Sequence, residues 1–282
     1  MERLEQIELK ILELKKLDKK YAIFGANTHK YIFNCKKSES ELIRYEESNG
    51  IKLPIEYRNF LKQIGNGGAG PYYGIEKIEN GKFADLDSGA NGEKIDLSKP
   101  FKFNKKWNFN NNPFKDENGE IRYDLRDIEY FKPDWANGLL RIANFGCGVS
   151  INLIVNGDEY GNIWVDDRCN EKGIYPFKSK ISKRTQFLAW YEEWLDNSIK
   201  PFVRISEKLK NNSVESVIKE EWDSKNFNVR SYIYSILDVN PLQIPHYEPK
   251  YNLEMERYRI KWLKQWNTTN INETERSKWW KF

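Results

Sequence analysis

Apolar residues recur at three- and four-residue steps near the start of the chain. Leu4, Ile7, Ile11 and Leu14 make one stripe, which predicts an amphipathic helix covering a core. Ser38-Glu39-Ser40-Glu41 is a capping box: the Ser38 hydroxyl and the Glu41 carboxylate can each satisfy a backbone N–H at a helix start. It predicts a helix from about Glu39 to Ser48, ended by Asn49-Gly50, two residues that tolerate positive φ. Pro54 then opens a helix whose inward stripe is Tyr57, Phe60, Leu61 and Ile64, and Gly65 through Gly68 stop it.

Beyond Pro71 the period shortens to two. Phe101 and Phe103 alternate with Lys102, which reads as a strand. The Asn-rich run from Asn104 to Asp116 carries Trp107, Phe109 and Phe114 and reads as a loop pinned by rings. Leu139 to Ala143 is a short strand, Gly146-Cys147-Gly148 a break, and Val149 to Val155 the clearest strand. Asn156-Gly157 and Gly161-Asn162 are turns, with Ile163-Trp164-Val165 as the next strand. Thr185 to Asn197 is a helix with Phe187, Leu188, Tyr191, Trp194 and Leu195 inward. Further helices are expected at Val214–Trp222 and Val229–Leu237. A proline-interrupted linker, PLQIPHYEP, precedes a last helix over about Leu253–Trp266 and a Trp279-Trp280-Lys281-Phe282 end. The class is α+β: an antiparallel β-meander flanked by helices, with an additional helical C-terminal segment. The expected divisions are 1–37 (N-terminal helix and connector), 38–203 (the α+β domain) and 204–282 (a helical, aromatic-rich extension).

The glycines after Phe60 raise the question of phosphate. A phosphate-binding glycine loop precedes a helix, so that N–H groups and dipole face the anion. Here the glycines follow one, and no Gly-Lys-Ser/Thr comes after them, so they read as a stop and a turn into strand structure.

Composition adds three constraints. Rings are abundant, with 16 Tyr, 15 Phe and 10 Trp, which suits a core and also an interface. Net charge is only +4; Arg204 to the end carries 14 Lys+Arg against 11 Asp+Glu, and the rest 32 against 31, so no nucleic-acid partner is demanded. Cys35, Cys147 and Cys169 are an odd set without a CxxC pair, which suits a reducing compartment. The start is charged throughout and no apolar run approaches a membrane span, so a cytoplasmic protein without membrane association is expected, and the sequons at Asn211, Asn267 and Asn272 carry no weight.

Three stretches taken in order resemble the Smi/Knr family, also called the SUKH immunity superfamily. They are Leu53-Pro54, Tyr57, Phe60, Leu61 with Asn66-Gly67-Gly68; Lys99-Pro100-Phe101 with Trp107; and Gly138 to Asp167, which holds Gly146, Gly148, Gly157, Gly161 and Trp164. The helix around Phe187, Trp190 and Leu195 is similar to the family's closing helix, and the resemblance spans roughly Glu39 to Asn197. It implies a compact α+β domain without shared catalytic apparatus. It also implies non-covalent, stoichiometric neutralisation of a cognate bacterial toxin, of nuclease class, with no cofactor. A minority of the family act as interaction hubs, so a scaffolding module is the alternative. Two departures stand out: many such immunity proteins are acidic whereas this chain is net basic, and Arg204 to Phe282 lies outside the pattern.

Chemistry read from the residues alone is sparse. His29 and His246 lie outside the recognisable core, and two partly exposed histidines are expected. Cys147 reads as a small buried residue, with no neighbouring cation to activate it. Three acidic pairs fall in or near loops: Asp85 with Asp87, Asp158 with Glu159, and Asp166 with Asp167. Clustered carboxylates hold divalent ions in metal-dependent hydrolases. Adjacent carboxylates in turns are usually just solvated; an acidic face that meets a basic toxin is the further reading that the family resemblance motivates for them. No catalytic, cofactor or metal residue is assigned, and oligomeric state is left open.

Overall fold

Four strands form one antiparallel sheet in the order β1-β2-β3-β4: β1 (Leu139–Gly146), β2 (Val149–Ile154), β3 (Ile163–Asp167) and β4 (Gly173–Pro176). The computed structural model from which this is read describes residues 2–83, 93–109, 117–120, 123–179, 182, 184–223 and 229–238. The meander is the one expected, with two amendments. β1 runs three residues further, to Gly146, and ends in a tight Cys147-Gly148 turn with positive φ at both residues, the backbone that right-twisted hairpins need. β4 was not foreseen. Its four residues, Gly-Ile-Tyr-Pro, are too short to show a period.

Isolated bridges extend the sheet at both edges. Ala143 bridges to Ile75, Ile75 to Gly68 and Gly68 to Phe33; on the far side Ile174 bridges to Trp107. Gly68 has φ +104, and a Cβ there would lie 2.3 Å from the Ile32 carbonyl oxygen. The glycine run therefore ends a helix and lets the chain enter the sheet edge, as the sequence implies. The strand expected over Phe101–Phe103 is not formed. Phe101 makes one bridge to Gly157, and the Phe103 ring instead stacks on Trp107, 4.9 Å between centroids. Pro100 and the Asn104 bend bracket too short a run for a ladder.

Helices flank this sheet. In chain order they are α1 (Glu2–Leu17), α2 (Ala26–His29), α3 (Glu39–Asn49), α4 (Ile55–Gln63), α5 (Tyr123–Tyr130), α6 (Phe187–Asn211), α7 (Val214–Asp223) and α8 (Val229–Leu237). The capping box at Ser38 forms with both of its hydrogen bonds, and Gly50 closes α3 with φ 62. Pro54 is the residue before α4 rather than its first. The α1 stripe is buried in the same core as the sheet, and Arg3 and Lys10 tie α1 to Glu192 and Asp196 of α6. Tyr57 and Phe60 of α4 pack edge-on against Phe187 of α6 at 4.9 and 5.1 Å, so the two motif rings join two helices.

α6 does not stop at Asn197. It continues through Pro201 to Asn211 because Phe202 and Ile205 extend its buried stripe. Pro201 removes one N–H donor, whose intrahelical acceptor is the carbonyl of exposed Asn197, where water can serve instead. The division placed after Val203 thus falls inside one helix. α7 and α8 form as expected around a small second core of Ile205, Val217, Ile218, Val229 and Ile233. α8 is anchored to the N-terminal region: Ser235 donates to Asp18 at 2.9 Å and Lys20 pairs with Asp238 at 2.7 Å. The expected linker, the helix over Leu253–Trp266, His246 and the Trp279-Trp280 end lie outside the described residues. No helix among the described residues is long and apolar enough to cross a membrane.

His29 corrects a sequence expectation: it is buried, because the positive-φ turn at Lys30 and Tyr31 folds it under Trp194. Its Nδ1 accepts the Tyr31 N–H at 3.1 Å. Burial depresses its pKa to about 4, against the opposing pull of the Asp18 charge and the Gly70 carbonyl, which Nε2 faces without hydrogen-bond geometry. The unfolded chain binds this proton near pH 6.5 and the folded chain does not, so the stabilisation is whole above pH 6.5 and is lost as pH falls towards 4. The loss amounts to about 3 kcal/mol. Urea titrations of the protein and of His29→Gln at pH 7.5, 6 and 4.5 should show the wild-type advantage shrinking with acid; a pH-independent difference would refute it.

Candidate interaction surface

The end of the sheet where β1 turns into β2 carries a cluster of half-exposed rings. Phe145 leaves β1 and packs on Tyr72 at 4.5 Å; Phe24 packs on Tyr73 at 5.2 Å and on Phe145 at 6.2 Å. Phe24 is 50 % exposed and Phe145 43 %. Two loops have to approach closely to assemble this cluster. Gly25 has φ +79, and a Cβ there would lie 1.7 Å from the Tyr72 carbonyl oxygen, so no other residue fits. Tyr72 and Cys147 themselves take positive φ, 58° and 50°. Non-glycine residues held in that region cost about 1–3 kcal/mol each. Burial, with the Glu193 charge second, raises the Tyr72 pKa, which keeps its hydroxyl neutral.

Cys147 sits at the tip of this turn and is exposed, not buried as its glycine flanks suggest, because the left-handed turn turns it outward. The Cys169 thiol, on the neighbouring turn, donates to the Cys147 carbonyl at 3.1 Å. Its pKa is raised by burial and by Asp167 and Asp166, so the thiol form is favoured.

The acidic pairs are divided between opposite ends of the sheet. Asp158 and Glu159 lie in the β2–β3 turn; Asp166 and Asp167 end β3, about 13 Å away along the strand at 3.3 Å per residue. Asp166 holds the buried Arg168 guanidinium at 2.7 Å, and that guanidinium also donates to the Tyr130 carbonyl at 2.9 Å. Asp167 is buried and accepts from Asn170 at 2.7 Å and the Tyr175 hydroxyl at 2.9 Å. Glu159 pairs with Arg184 at 2.6 Å and accepts from Asn162 at 3.0 Å. Asp158 alone of these four is exposed. Asp85 and Asp87 lie outside the described residues.

The motif residues are structural in the described fold. Leu53, Tyr57, Phe60 and Trp164 are buried, and Pro54 lies 3.9 Å from the Cβ position of Gly161. Gly157 borders a groove of about 530 Å³ between the end of α3 and the β2–β3 turn. Of the two acids on its wall, Glu46 and Glu47, Glu46 is engaged by the Leu53 N–H at 2.9 Å and by Arg58. The ring cluster escaped the sequence reading because its members come from three separated segments. The Tyr72-Tyr73 pair straight after Gly70-Pro71 is the one local signal for it. Compared with protein-family models, with curated proteins and with solved structures, the chain finds no match.

Proposed function

We propose that this chain is a non-catalytic immunity protein that neutralises one toxin domain by stoichiometric, non-covalent binding. The observation that carries the binding half of this reading is the ring cluster of Phe24, Tyr72, Tyr73 and Phe145. Half-exposed aromatics on a fixed backbone are the anchors that protein interfaces favour, since they bury large area for little lost freedom. The toxin half rests on the ordered set of residues that resembles the Smi/Knr family. Neutralisation of this type needs no turnover, only an interface that covers or distorts the toxin's site.

Cells expressing a toxin encoded beside this gene should survive when the protein is co-expressed. The double substitution Phe24→Ser with Phe145→Ser should weaken toxin binding by about 2 kcal/mol or more, the scale of an interface anchor. The melting temperature should change little, because both rings are half-exposed. Failure to protect against every co-encoded toxin sinks the immunity reading. Full protection by the double variant removes the ring cluster from it.

A further inference from the structure

We infer that the opposite edge of the sheet is a docking surface for an acidic protein segment. Residues 99–109, KPFKFNKKWNF, hold four lysines and no carboxylate. The start of this segment bridges Gly157 through Phe101, and its far end meets β4 through reciprocal backbone hydrogen bonds between Trp107 and Ile174, both 2.8 Å. Its lysines are not a loose fringe. Lys102 sits over the Trp135 ring at 5.4 Å and Lys106 over the Tyr175 ring at 5.7 Å. Beneath them Phe103, Trp107 and Trp135 are stacked, 4.9 and 4.8 Å between neighbouring centroids. Lys99 is paired with Asp96, but Lys102, Lys105 and Lys106 meet no carboxylate among the described residues. The edge therefore presents three exposed ammonium groups that no carboxylate among the described residues offsets, two of them held over rings.

A cation held on a ring keeps its charge and has already lost part of its rotamer freedom, so an anionic partner gains more from meeting it. The partner's chemistry follows from what the rings leave open. Single-stranded nucleic acid binds through bare ring faces on which bases stack. Here the rings stack on one another, and lysines cover faces of Trp135 and Tyr175. Carboxylate side chains need only the ammonium groups and suit this edge better. Lysines on a sheet edge also deter edge-to-edge pairing, and that role alone predicts no binding of any acidic chain. The inference does not depend on the immunity reading, since it specifies a charge and an edge rather than a toxin.

The test uses the full chain and two labelled probes, a peptide of ten glutamates and a fifteen-residue oligothymidylate, followed by fluorescence anisotropy at low salt. The glutamate peptide should bind, and Lys102→Glu with Lys105→Glu and Lys106→Glu should weaken it about tenfold or more. The matching reversal of exposed Lys15, Lys16 and Lys19, at and just after the end of α1, should leave it nearly unchanged. Physiological salt should weaken binding, as screening of exposed charges requires. Equal loss in both variants, no binding of the peptide, or preference for the oligonucleotide would each overturn the inference. The toxin co-expression assay reads the immunity proposal separately, so either can fail alone.

Discussion

Asp18→Ala is expected to destabilise the protein by about 3–5 kcal/mol, the scale of stranding several buried donors at once. Asp18 is fully buried, and its carboxylate accepts four hydrogen bonds: Ala22 N–H at 2.6 Å, Ile23 N–H at 3.1 Å, the Tyr31 hydroxyl at 2.6 Å and the Ser235 hydroxyl at 2.9 Å. Alanine would leave all four donors without their acceptor. The Tyr31 hydroxyl is held well above its ordinary pKa by burial first and the Asp18 charge second, so it stays a donor. The damage should reach α8, since Ser235 ties that helix to the buried Asp18 carboxylate, beside the contacts that Lys20 makes with Tyr234 and Asp238. Urea unfolding would give the loss, and hydrogen exchange should show α8 opening before the sheet. A loss under 1 kcal/mol, or an unchanged α8, would contradict this role.

Trp164→Ala should cost a similar amount, about 3–5 kcal/mol, as truncation of a buried large ring does. Trp164 lies in β3 with no exposed surface, edge-on to Phe101 at 4.8 Å, and its indole N–H meets no acceptor among the described residues. Its contribution is therefore volume and contact rather than hydrogen bonding. Trp164→Phe should accordingly retain most of the stability, with a loss of about 1–2 kcal/mol from the unfilled space. Equal losses in the two variants would show that the N–H, not the ring, is what matters.

These two residues mark what was legible in the chain and what was not. Trp164 lies in a short run between a Gly-Asn turn and two aspartates, and Leu4, Tyr57, Phe60 and Phe187 lie on regular stripes, so strands and helices could be read locally. Asp18 follows a helix among lysines and looks like any solvated acid; its donors come from positions 22, 23, 31 and 235, and only the fold brings them together. The same holds for the ring cluster, whose members come from three segments, and for His29, whose burial follows from a positive-φ turn at residues with no glycine to announce it. The helix expected to end at Asn197 departs in the other direction, since it runs on through Pro201 to Asn211. Proline signals a helix end, but two buried side chains after it kept α6 continuous. Asp166, Asp167 and Glu159 read as surface acids because their partners Arg168, Tyr175 and Arg184 are set by the turns and not by a motif.

The most direct test of the central proposal is isothermal titration of the purified protein with a toxin domain encoded beside its gene, inactivated by mutation. The account predicts a single saturable transition at a one-to-one ratio, weakened by Phe24→Ser with Phe145→Ser. No detectable binding to any such domain, or tight binding that the double variant leaves untouched, would contradict it.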